Sequence, residues 1–449
     1  MKKKILITIT NDNFVRNYIF SKAFLDIEKE FSCFYLVDKD LKIKFLKKNT
    51  FFYSLKRNEK RIFEKYCLTQ TFLNHKLSKS IEFSIKRYFD IKIWWDEDNF
   101  FQNIFKFPIR AGSKIYRFFL FLFLSSFIGK FFFKNYEIKI KDNKKIFETL
   151  RKIKPSLVVI PTQGQDFGHF STVKICNKMH IKSFSLIDNW DNLSSRVMVK
   201  PFSNFIGVWG NQSKIHASRI QGIKKNRINI VGTPRFESYK KVREKNPFNF
   251  KYILFCEGFG LTKDINEILK KLDEIFNDKI FKNLKIIYRP HPWRKDNNIE
   301  NMKNYKNIIL DPQLKKNYLK KKFDSSVQPD LNYYPKLILN AEFIISAPTT
   351  MVIECLLLNK KVIVLGHKSN TVFNHYNHVV KLNHYDGVKN LKNVQMCWDL
   401  NDLYYQCVDI FFGKKKIVPK NKLSLNHFIF QNKNTYSKNL LKIIKNLIK

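Results

Sequence analysis

Short apolar segments that alternate with helical stretches constrain the fold of this chain more than any other feature. They begin at Leu157–Pro161 and continue through Ser183–Ile187, Phe205–Trp209 and Ile228–Val231. A second series runs through Tyr252–Cys256, Leu284–Tyr288, Asn307–Leu310, Phe343–Ser346 and Lys361–Leu365. Strands that alternate with helices form parallel sheets covered by helices. The sequence therefore predicts an α/β protein with two Rossmann-like domains that face each other across a cleft.

The chain has 449 residues, which is enough for two such domains. We predict a first domain over residues 1–245, opening with a strand at Lys4–Thr10 and interrupted by a helical, Phe- and Lys-rich insertion at about 50–150. A polar connector containing Pro247 leads to a second domain over residues 246–432. Residues 433–449 are predicted to form a helix that packs back on the first domain.

The formal net charge is +45, from 83 basic and 38 acidic residues. Such an excess raises the local concentration of anionic partners such as nucleotides, anionic lipids and nucleic acids. The basic residues are dispersed, and neither an arginine-rich arm nor zinc-finger spacing accompanies them. We therefore expect no nucleic acid partner, with a non-catalytic, basic nucleic-acid-binding or scaffold protein as an open alternative. Peripheral contact with anionic lipid of the inner membrane is a second interpretation of the charge.

Several features favour a cytoplasmic location. The seven cysteines are dispersed, which is typical of a reducing compartment and argues against a metal site. The start at Met1 to Lys4 leads directly into a strand, without the apolar segment of a signal peptide. The apolar run Phe118–Gly129 is shorter than the roughly 20 residues that span a bilayer. It predicts a buried helix, with a helix lying in the membrane interface as the alternative.

Hydroxyl side chains surround the turn predicted after strand Phe343–Ser346. Thr349 and Thr350 open the next helix, where free backbone N–H groups and the helix dipole favour a phosphate. Ser346 and both threonines would donate to phosphate oxygens, and Glu354 would accept from the hydroxyls of a ribose. The alternative is that the hydroxyls only cap the helix and that Glu354 lies at the surface. We interpret this segment as part of a nucleotide site.

A loop of sequence Arg-Pro-His-Pro, starting at Arg289, follows another predicted strand directly. Its prolines stiffen the loop. Arg289 can bind phosphate with two N–H groups, and His291 can donate to a phosphate or protonate a leaving group. Gly258 and Gly260, after the first strand of this domain, would let the backbone approach a diphosphate. A purely structural turn is the alternative for the Arg289 loop.

Polar residues also follow the predicted strands of the first domain, where an acceptor would bind. The candidates for the base that deprotonates an attacking hydroxyl are Asp191 first, followed by Asp166, His169 and Asp188. Trp190 would offer an aromatic platform to an acceptor sugar, with Asn11 and Arg196 as further acceptor-binding residues. The alternative for the loop 188–196 is Asx-turn and helix-cap chemistry.

Four short motifs occur in a particular order over residues 155–366. They are Trp190-Asp191 with Arg196, Gly232 to Arg235 with Glu237, the loop at Arg289, and Ser346 to Glu354. This order resembles that of CDP-glycerol glycerophosphotransferase-like enzymes of the GT-B type, which have a Trp-His pair where this chain has Trp190-Asp191. Loops beginning Trp-Asp-Asn look more like those of surface-polysaccharide glycosyltransferases. The segment Thr350 to Glu354 is also similar, more loosely, to nucleotide-sugar 2-epimerases.

The resemblance implies that the second domain binds a nucleotide-activated sugar donor and the first a glycan or lipid-linked acceptor. The implied reaction is an inverting, metal-independent transfer of a sugar, or of a glycerophosphate-like group, to a growing cell-surface glycan. It implies no cofactor and no metal. The nearest candidate for a divalent cation site, Trp94 to Asp98, lies outside the two series of strands. An epimerase that isomerises the nucleotide sugar is the alternative enzyme.

Overall fold

The computed structural model describes residues 2–42, 47–89, 100–133, 136, 138–242, 245–258, 262–291, 302–319, 330–368, 375–413, 423–431 and 433–449. Within these residues the strands form two sheets, of seven and six strands, and all of the strand pairs are parallel. The two-sheet α/β architecture predicted from the alternation is therefore confirmed.

The first sheet has the spatial order β3-β2-β1-β4-β5-β6-β7. Its strands are β1 (Lys4–Ile9), β2 (Ser32–Asp38), β3 (Thr50–Tyr53), β4 (Leu157–Thr162), β5 (Ser183–Ile187), β6 (Phe205–Val208) and β7 (Ile228–Ile230). Side chains of β1 alternate between two cores, with Ile5 and Ile7 on one face and Leu6 on the other. Both faces of this sheet are therefore buried, as its apolar strands require.

Helices of the first half cover both faces of this sheet and form the insertion. They are α1 (Asp12–Phe14), a π-helical turn (Val15–Phe20), α2 (Leu25–Glu30), α3 (Arg57–Leu73), α4 (Lys79–Phe89), α5 (Phe100–Ser125), α6 (Phe127–Phe133), α7 (Lys144–Ile153), α8 (Phe167–Lys178), α9 (Asn192–Ser195) and α10 (Asn211–Arg219), with 3-10 turns at Lys225–Arg227 and Pro234–Lys241. Helices α3 to α6 make up the Phe- and Lys-rich insertion, which is helical as expected.

The second sheet has the order β10-β9-β8-β11-β12-β13. Its strands are β8 (Lys251–Cys256), β9 (Leu284–Arg289), β10 (Ile308–Leu310), β11 (Ile344–Ser346), β12 (Val362–Leu365) and β13 (Val394–Cys397). The helices around it are α11 (Thr262–Phe276), α12 (Pro312–Leu319), α13 (Tyr333–Asn340), α14 (Thr350–Leu357), α15 (His375–Val379), α16 (Leu403–Phe411) and α17 (Leu425–Phe428). Short 3-10 turns lie at Lys279–Phe281, Met302–Asn304, Asn383–Tyr385, Val388–Asn390 and Leu400–Asp402.

The last helix, α18 (Tyr436–Leu447), belongs to the core of the first sheet although it follows the second sheet in the chain. Its residues Leu440 and Ile444 are fully buried beside Ile5 and Ile7 of β1. The Thr435 side chain caps the helix by accepting from the Lys438 N–H.

One apolar core connects the two sheets. It combines Trp190, Trp209 and Phe236 from the first half with Leu254 of β8 and Phe428 of α17. Because the strands of each sheet are parallel, the loops at their carboxyl ends lie along one edge, where ligands of such sheets bind. The shared core lies beside the loops that follow β5, β6 and β7.

The run Phe118–Gly129 was predicted to form one buried helix, and the structure differs from this prediction. It breaks at Ser126 into α5 and α6, and its side chains divide between a packed face with Leu124 and an exposed face with Phe119 and Phe127. Among the described helices, no single one is long and apolar enough to cross a bilayer. Ala111–Ser125 and Phe127–Phe133, joined by an 85° bend, reach that length and composition only as a pair.

Candidate functional site

An ion pair joins the two sheets at their strand ends. Arg235 lies on the 3-10 turn after β7, and its Nη2 is 3.5 Å from Oε1 of Glu354 on α14. The two side chains are only 17% and 5% exposed. Tyr239, one turn after Arg235, donates its hydroxyl to the other oxygen of the same carboxylate. Glu354 therefore lies buried between the sheets rather than at the surface, and both of its oxygens have partners from the first domain.

Arg289, at the end of β9, lies on the second-domain side of the same region. Its guanidinium lies over the ring of Tyr334, 4.0 Å from the centroid, and donates to the hydroxyl of that tyrosine. Arg289 is buried, and its Nε has no hydrogen-bond partner among the residues that the structure describes. A buried N–H group without a partner costs free energy, so the arrangement favours an acceptor other than the described residues.

A third arginine comes from the loop after β1. Arg16 lies on the π-helical turn Val15–Phe20, is buried, and donates to Oδ1 of Asn17. Burial and the neighbouring charge of Arg235 lower the pKa of Arg16, and Glu354 opposes this effect. Arginines from the ends of β1, β7 and β9 thus lie within electrostatic range of Glu354. π-Helical turns of this kind occur frequently at functional sites.

Asp188 lies at the end of β5, next to these arginines. Its Oδ1 accepts from Nδ2 of Asn17 at 2.9 Å, and the side chain is buried. Burial raises the pKa of Asp188 to about 6, against the opposing effects of Arg235 and the Asn17 hydrogen bond. A carboxyl group with a pKa near 6 can both hold and release a proton at neutral pH, which suits acid–base chemistry.

The predicted phosphate-binding hydroxyls are used partly within their own turn. The Thr349 side chain caps α14 by accepting from the Met351 N–H at 3.3 Å, which is the capping alternative. Ser346 was predicted to donate to a phosphate. In the structure it is fully buried and its hydroxyl donates to the Ala347 carbonyl instead. Thr350 begins α14 and is half-buried, which leaves it and the first turn of the helix as the accessible part.

The loops after β8 and β11 lie against each other. A side chain added at Gly258 would place its Cβ 2.9 Å from Cβ of Ala347 and 3.0 Å from Cγ2 of Thr349. Glycine is therefore required by the approach of the two loops, whatever the ligand. His291, two residues after the end of β9, is half-buried at the same edge of the sheet. Gly260 lies outside the described residues, as does the cluster Trp94 to Asp98.

Asp191 is the half-exposed member of the predicted acceptor loop. Its Oδ2 accepts from the Ser195 hydroxyl at 3.1 Å, and its backbone oxygen accepts from Ser194 and Ser195 at the start of α9. Its charge acts on His384 of the second domain, whose pKa is lowered by burial and raised by Asp191. Asp191 therefore lies close enough to the second domain for its charge to act on a residue there.

Trp190 was predicted to offer an aromatic platform to an acceptor sugar, but its environment in the structure is different. It is 2% exposed, and its ring packs against His384, Tyr385 and Phe428 of the second half. In this arrangement it joins the two domains, and no face of the ring is open to a sugar. Arg196, the last residue of the same loop, is half-buried.

Three other predicted residues are held by local contacts. His169 is buried, its Nε2 lies 2.7 Å from the Ser185 hydroxyl, and burial lowers its pKa to about 4. Asp166 accepts from Thr162 and from the Gln163 N–H, both at 2.6 Å. Asn11 caps the short helix α1 by accepting from the Phe14 N–H. His169 lies inside the first domain, so it does not face an acceptor as predicted.

Sequence reasoning did not select several residues that the fold brings to this region. Arg16, Tyr239, Tyr334 and His384 gave no motif, and Arg235 appeared only as the last residue of the Gly-Thr-Pro-Arg segment. The position of Arg16, a few residues after a buried strand, is the one signal that would have indicated it.

No model of a known protein family matches the sequence, and no protein of curated function matches it either. Solved structures do match. A UDP-GlcNAc 2-epimerase from Neisseria meningitidis, bound to UDP-GlcNAc, superposes with a TM-score of 0.54 at 11% identity over 99% of this chain and 100% of that one. A UDP-GlcNAc 2-epimerase from Methanocaldococcus jannaschii gives a TM-score of 0.53 at 13% identity, over 99% of each chain. A putative UDP-N-acetylglucosamine 2-epimerase from Listeria monocytogenes gives 0.52 at 9% identity, over 100% of this chain and 97% of that one. At such identities the likeness establishes the fold, which is the GT-B fold.

Proposed function

We propose that this protein is a GT-B glycosyltransferase that uses a nucleotide-activated sugar donor. The observation that carries the proposal is the convergence of Arg16, Arg235 and Arg289 on Glu354, at the facing strand ends of two Rossmann-like sheets. Guanidinium groups bind phosphate oxygens through paired N–H donors. A diphosphate placed here would satisfy Arg289 Nε, for which the described part of the chain offers no acceptor.

In the reaction we propose, the acceptor hydroxyl attacks the anomeric carbon of the donor sugar. The bond between that carbon and the nucleotide phosphate breaks, so the configuration inverts and the nucleotide leaves with its negative charge. Asp191 accepts the proton of the attacking hydroxyl, since it is a partly exposed carboxylate of the acceptor loop close to the second domain. The arginines stabilise the charge that develops on the leaving phosphate, and the step needs no metal.

The donor would bind mainly through the second domain, at Arg289, His291, Thr349 and Thr350. The role of Glu354 with the ribose requires an additional step, because Arg235 and Tyr239 already bind its carboxylate. A bound ribose would have to displace one of them. The acceptor would be a glycan or lipid-linked glycan at the loop 188–196, and Asp188 would serve as the second acid–base group.

A second candidate is a nucleotide-sugar 2-epimerase. It is favoured by the fold likeness to three such enzymes and by Asp188, a buried carboxyl group whose pKa is raised to about 6. An epimerase needs acid–base groups but no acceptor. The two candidates therefore differ in what happens to the donor when it is the only substrate.

The experiment uses the purified full chain in two steps. Thermal unfolding is first measured with UDP, CDP, CMP and GDP, because a ligand that binds the folded state raises its melting temperature. UDP-GlcNAc, or the matching donor of the base selected, is then incubated alone and followed by NMR. A melting shift with an unchanged sugar supports a transferase. Conversion of the sugar indicates an epimerase, and the absence of any shift would overturn nucleotide binding altogether.

A further inference from the structure

Helices α5 and α6 carry a large apolar surface that none of the described residues covers. On α6, Phe127, Ile128, Phe131 and Phe132 are 84%, 59%, 73% and 69% exposed. Their spacing of i, i+1, i+4 and i+5 places them on one face of the helix. The exposed apolar residues of α5 are Ile115, Tyr116, Phe118, Phe119, Leu122 and Phe123. We refer to these ten residues together as the insertion face.

The opposite side of α5 accounts for the packing of the insertion. Leu124 is fully buried, and Leu120 and Phe121 pack with it against Phe72 of α3 and Ile81 of α4. The helix is thus apolar on both sides and buried on only one. A surface helix of a soluble domain normally turns a polar side to water, so the second apolar side indicates another apolar environment.

The bend between the helices is built into the sequence. Gly129 of α6 lies against the end of α5, where an added Cβ would be 2.0 Å from the Phe123 carbonyl oxygen and 2.8 Å from Cα of Leu124. Only glycine allows this approach. The 85° bend turns the exposed residues of α6 away from those contacts, so that the aromatic rings of both helices remain on the outside.

The described parts of α5 and α6 carry charges of one sign. Residues 99–136 contain no Asp or Glu, and the exposed Lys130 lies among the apolar residues of α6, whereas Lys114 and Arg117 of α5 contact Tyr88 of α4. A second copy of this chain would bring the same cations against this surface, which like-charge repulsion opposes. An anionic bilayer is complementary to this surface, because its interior accepts the aromatic rings and its headgroups attract the cations.

A cavity at the edge of the insertion face is lined by both apolar and positively charged side chains. It has a volume of about 600 Å³ and lies between the α3–α4 turn and α6. Leu73, Leu77 and Phe131 form its apolar part, and Lys76 and Lys130 flank it. An acyl chain fits the apolar part, and the two ammonium groups suit the phosphate at its head.

We propose that the insertion face docks this protein on a membrane rich in anionic lipid, with Phe127 and Phe131 entering the interface. This goes beyond the proposed enzymatic function and does not depend on it. The packed side of the same helices reaches Val197, directly after the loop 188–196. A docked protein would therefore hold its acceptor side near the bilayer.

The test is flotation of the purified full chain with two kinds of vesicle. One contains phosphatidylcholine alone, and the other also contains about 30 mol% of the anionic lipid phosphatidylglycerol. We expect binding to the anionic vesicles, and an at least tenfold weaker partition for the double variant Phe127→Gln, Phe131→Gln. The matched control is Tyr405→Gln, Phe412→Gln on the second domain, where the residues are 70% and 54% exposed. The control should bind vesicles like the parent.

The alternative occupant of the insertion face is a second copy of this chain. Sedimentation velocity of the same samples without vesicles detects such a dimer. A monomeric parent that binds anionic vesicles through these phenylalanines supports the proposal. Equal binding of parent and Phe127→Gln, Phe131→Gln would overturn it. A parent dimer that the double variant converts to monomer would overturn it as well, because the face would then be covered by a second copy.

Discussion

Nη2 of Arg235 lies 3.5 Å from Oε1 of Glu354, and this buried ion pair connects the end of the first sheet to the second. Removing Arg235 takes away the ion-pair partner of a buried carboxylate, for which Tyr239 and the more distant Arg16 and Arg289 compensate only in part. We expect Arg235→Met to lower the free energy of unfolding by about 3 kcal/mol. The double variant Arg235→Met, Glu354→Gln should recover part of that loss, as measured by chemical denaturation.

The control for this pair is Lys251 with Glu342, which are 3.9 Å apart and 73% and 38% exposed. Exposed pairs contribute little, so Glu342→Gln should change the free energy of unfolding by less than about 0.5 kcal/mol. Equal losses for Arg235→Met and Glu342→Gln would show that the interdomain pair is not stabilised by its burial.

Arg289 offers the most direct test of nucleotide binding. Its guanidinium lies over the Tyr334 ring, and no described residue accepts a hydrogen bond from its Nε. A charged hydrogen bond to phosphate contributes about 1.5–3 kcal/mol, so Arg289→Gln should weaken binding of the nucleotide about 10- to 100-fold. Isothermal titration gives the Kd, with the exposed Arg61→Gln on α3 as the control. An unchanged Kd for Arg289→Gln would remove this arginine from the site.

The sheets and most helices could be predicted because their signal is local. Phe343–Ser346 was expected and Ile344–Ser346 is observed, and Leu284–Tyr288 corresponds to Leu284–Arg289. Two edge strands were missed. Thr50–Tyr53 lies in a Phe- and Lys-rich segment that resembles the helices after it, and Val394–Cys397 has no continuous apolar run. Edge strands have only one neighbour, so their sequences carry less of the pattern.

The candidate site was less predictable, since its contacts join residues far apart in the chain. Arg235 and Glu354 are 119 positions apart, and neither sequence segment indicates the other. Trp190 is a second case in which the local sequence could not indicate a contact with a distant segment. A tryptophan between carboxylates suggests an exposed sugar platform, but the second domain covers it with His384 and Phe428. Burial by a distant segment leaves no trace in the local pattern.

Asp188 predicts a pH dependence of stability. Burial raises its pKa to about 6 from the ordinary 3.8, so between these values the folded state holds a proton that the unfolded state releases. The contribution is favourable at low pH and is lost as the pH rises through 6. Asp188→Asn does not titrate and keeps an acceptor for Asn17. We expect its stability relative to the parent to rise by up to about 3 kcal/mol between pH 4 and pH 7.

The measurement is urea denaturation of both proteins across that range. Asp278→Asn is the control, because hydrogen bonds from the Ile280 N–H and the Tyr404 hydroxyl lower the pKa of Asp278. It should show no such gain. A pH-independent difference between Asp188→Asn and the parent would mean that this carboxyl group titrates normally.

Two glycines should respond in opposite directions. At Gly258 a side chain would meet Ala347 and Thr349 at 3.0 Å or less, so Gly258→Val should displace the turn before α14. We expect a loss of stability and weaker nucleotide binding together. Gly112 lies inside α5, and no atom of the described residues is within 4 Å of a Cβ added there. Gly112→Ala should therefore raise the free energy of unfolding by about 0.5–1 kcal/mol, which thermal unfolding of both variants measures.

Asp191 separates the proposed transfer from the alternatives. If it accepts the proton of the acceptor hydroxyl, Asp191→Asn should lower kcat of sugar transfer about 10²- to 10⁴-fold and leave the Kd of the donor unchanged, because Asp191 is not among the proposed donor-binding residues. Asp166 is the matched carboxylate, held by Thr162 and the Gln163 N–H in its own loop. Asp166→Asn should reduce stability while the remaining folded protein keeps its kcat. Equal effects of the two substitutions on kcat would contradict Asp191 as the base. Loss of transfer only in Asp188→Asn would instead assign the proton transfer to Asp188, the carboxyl group whose pKa is raised by burial.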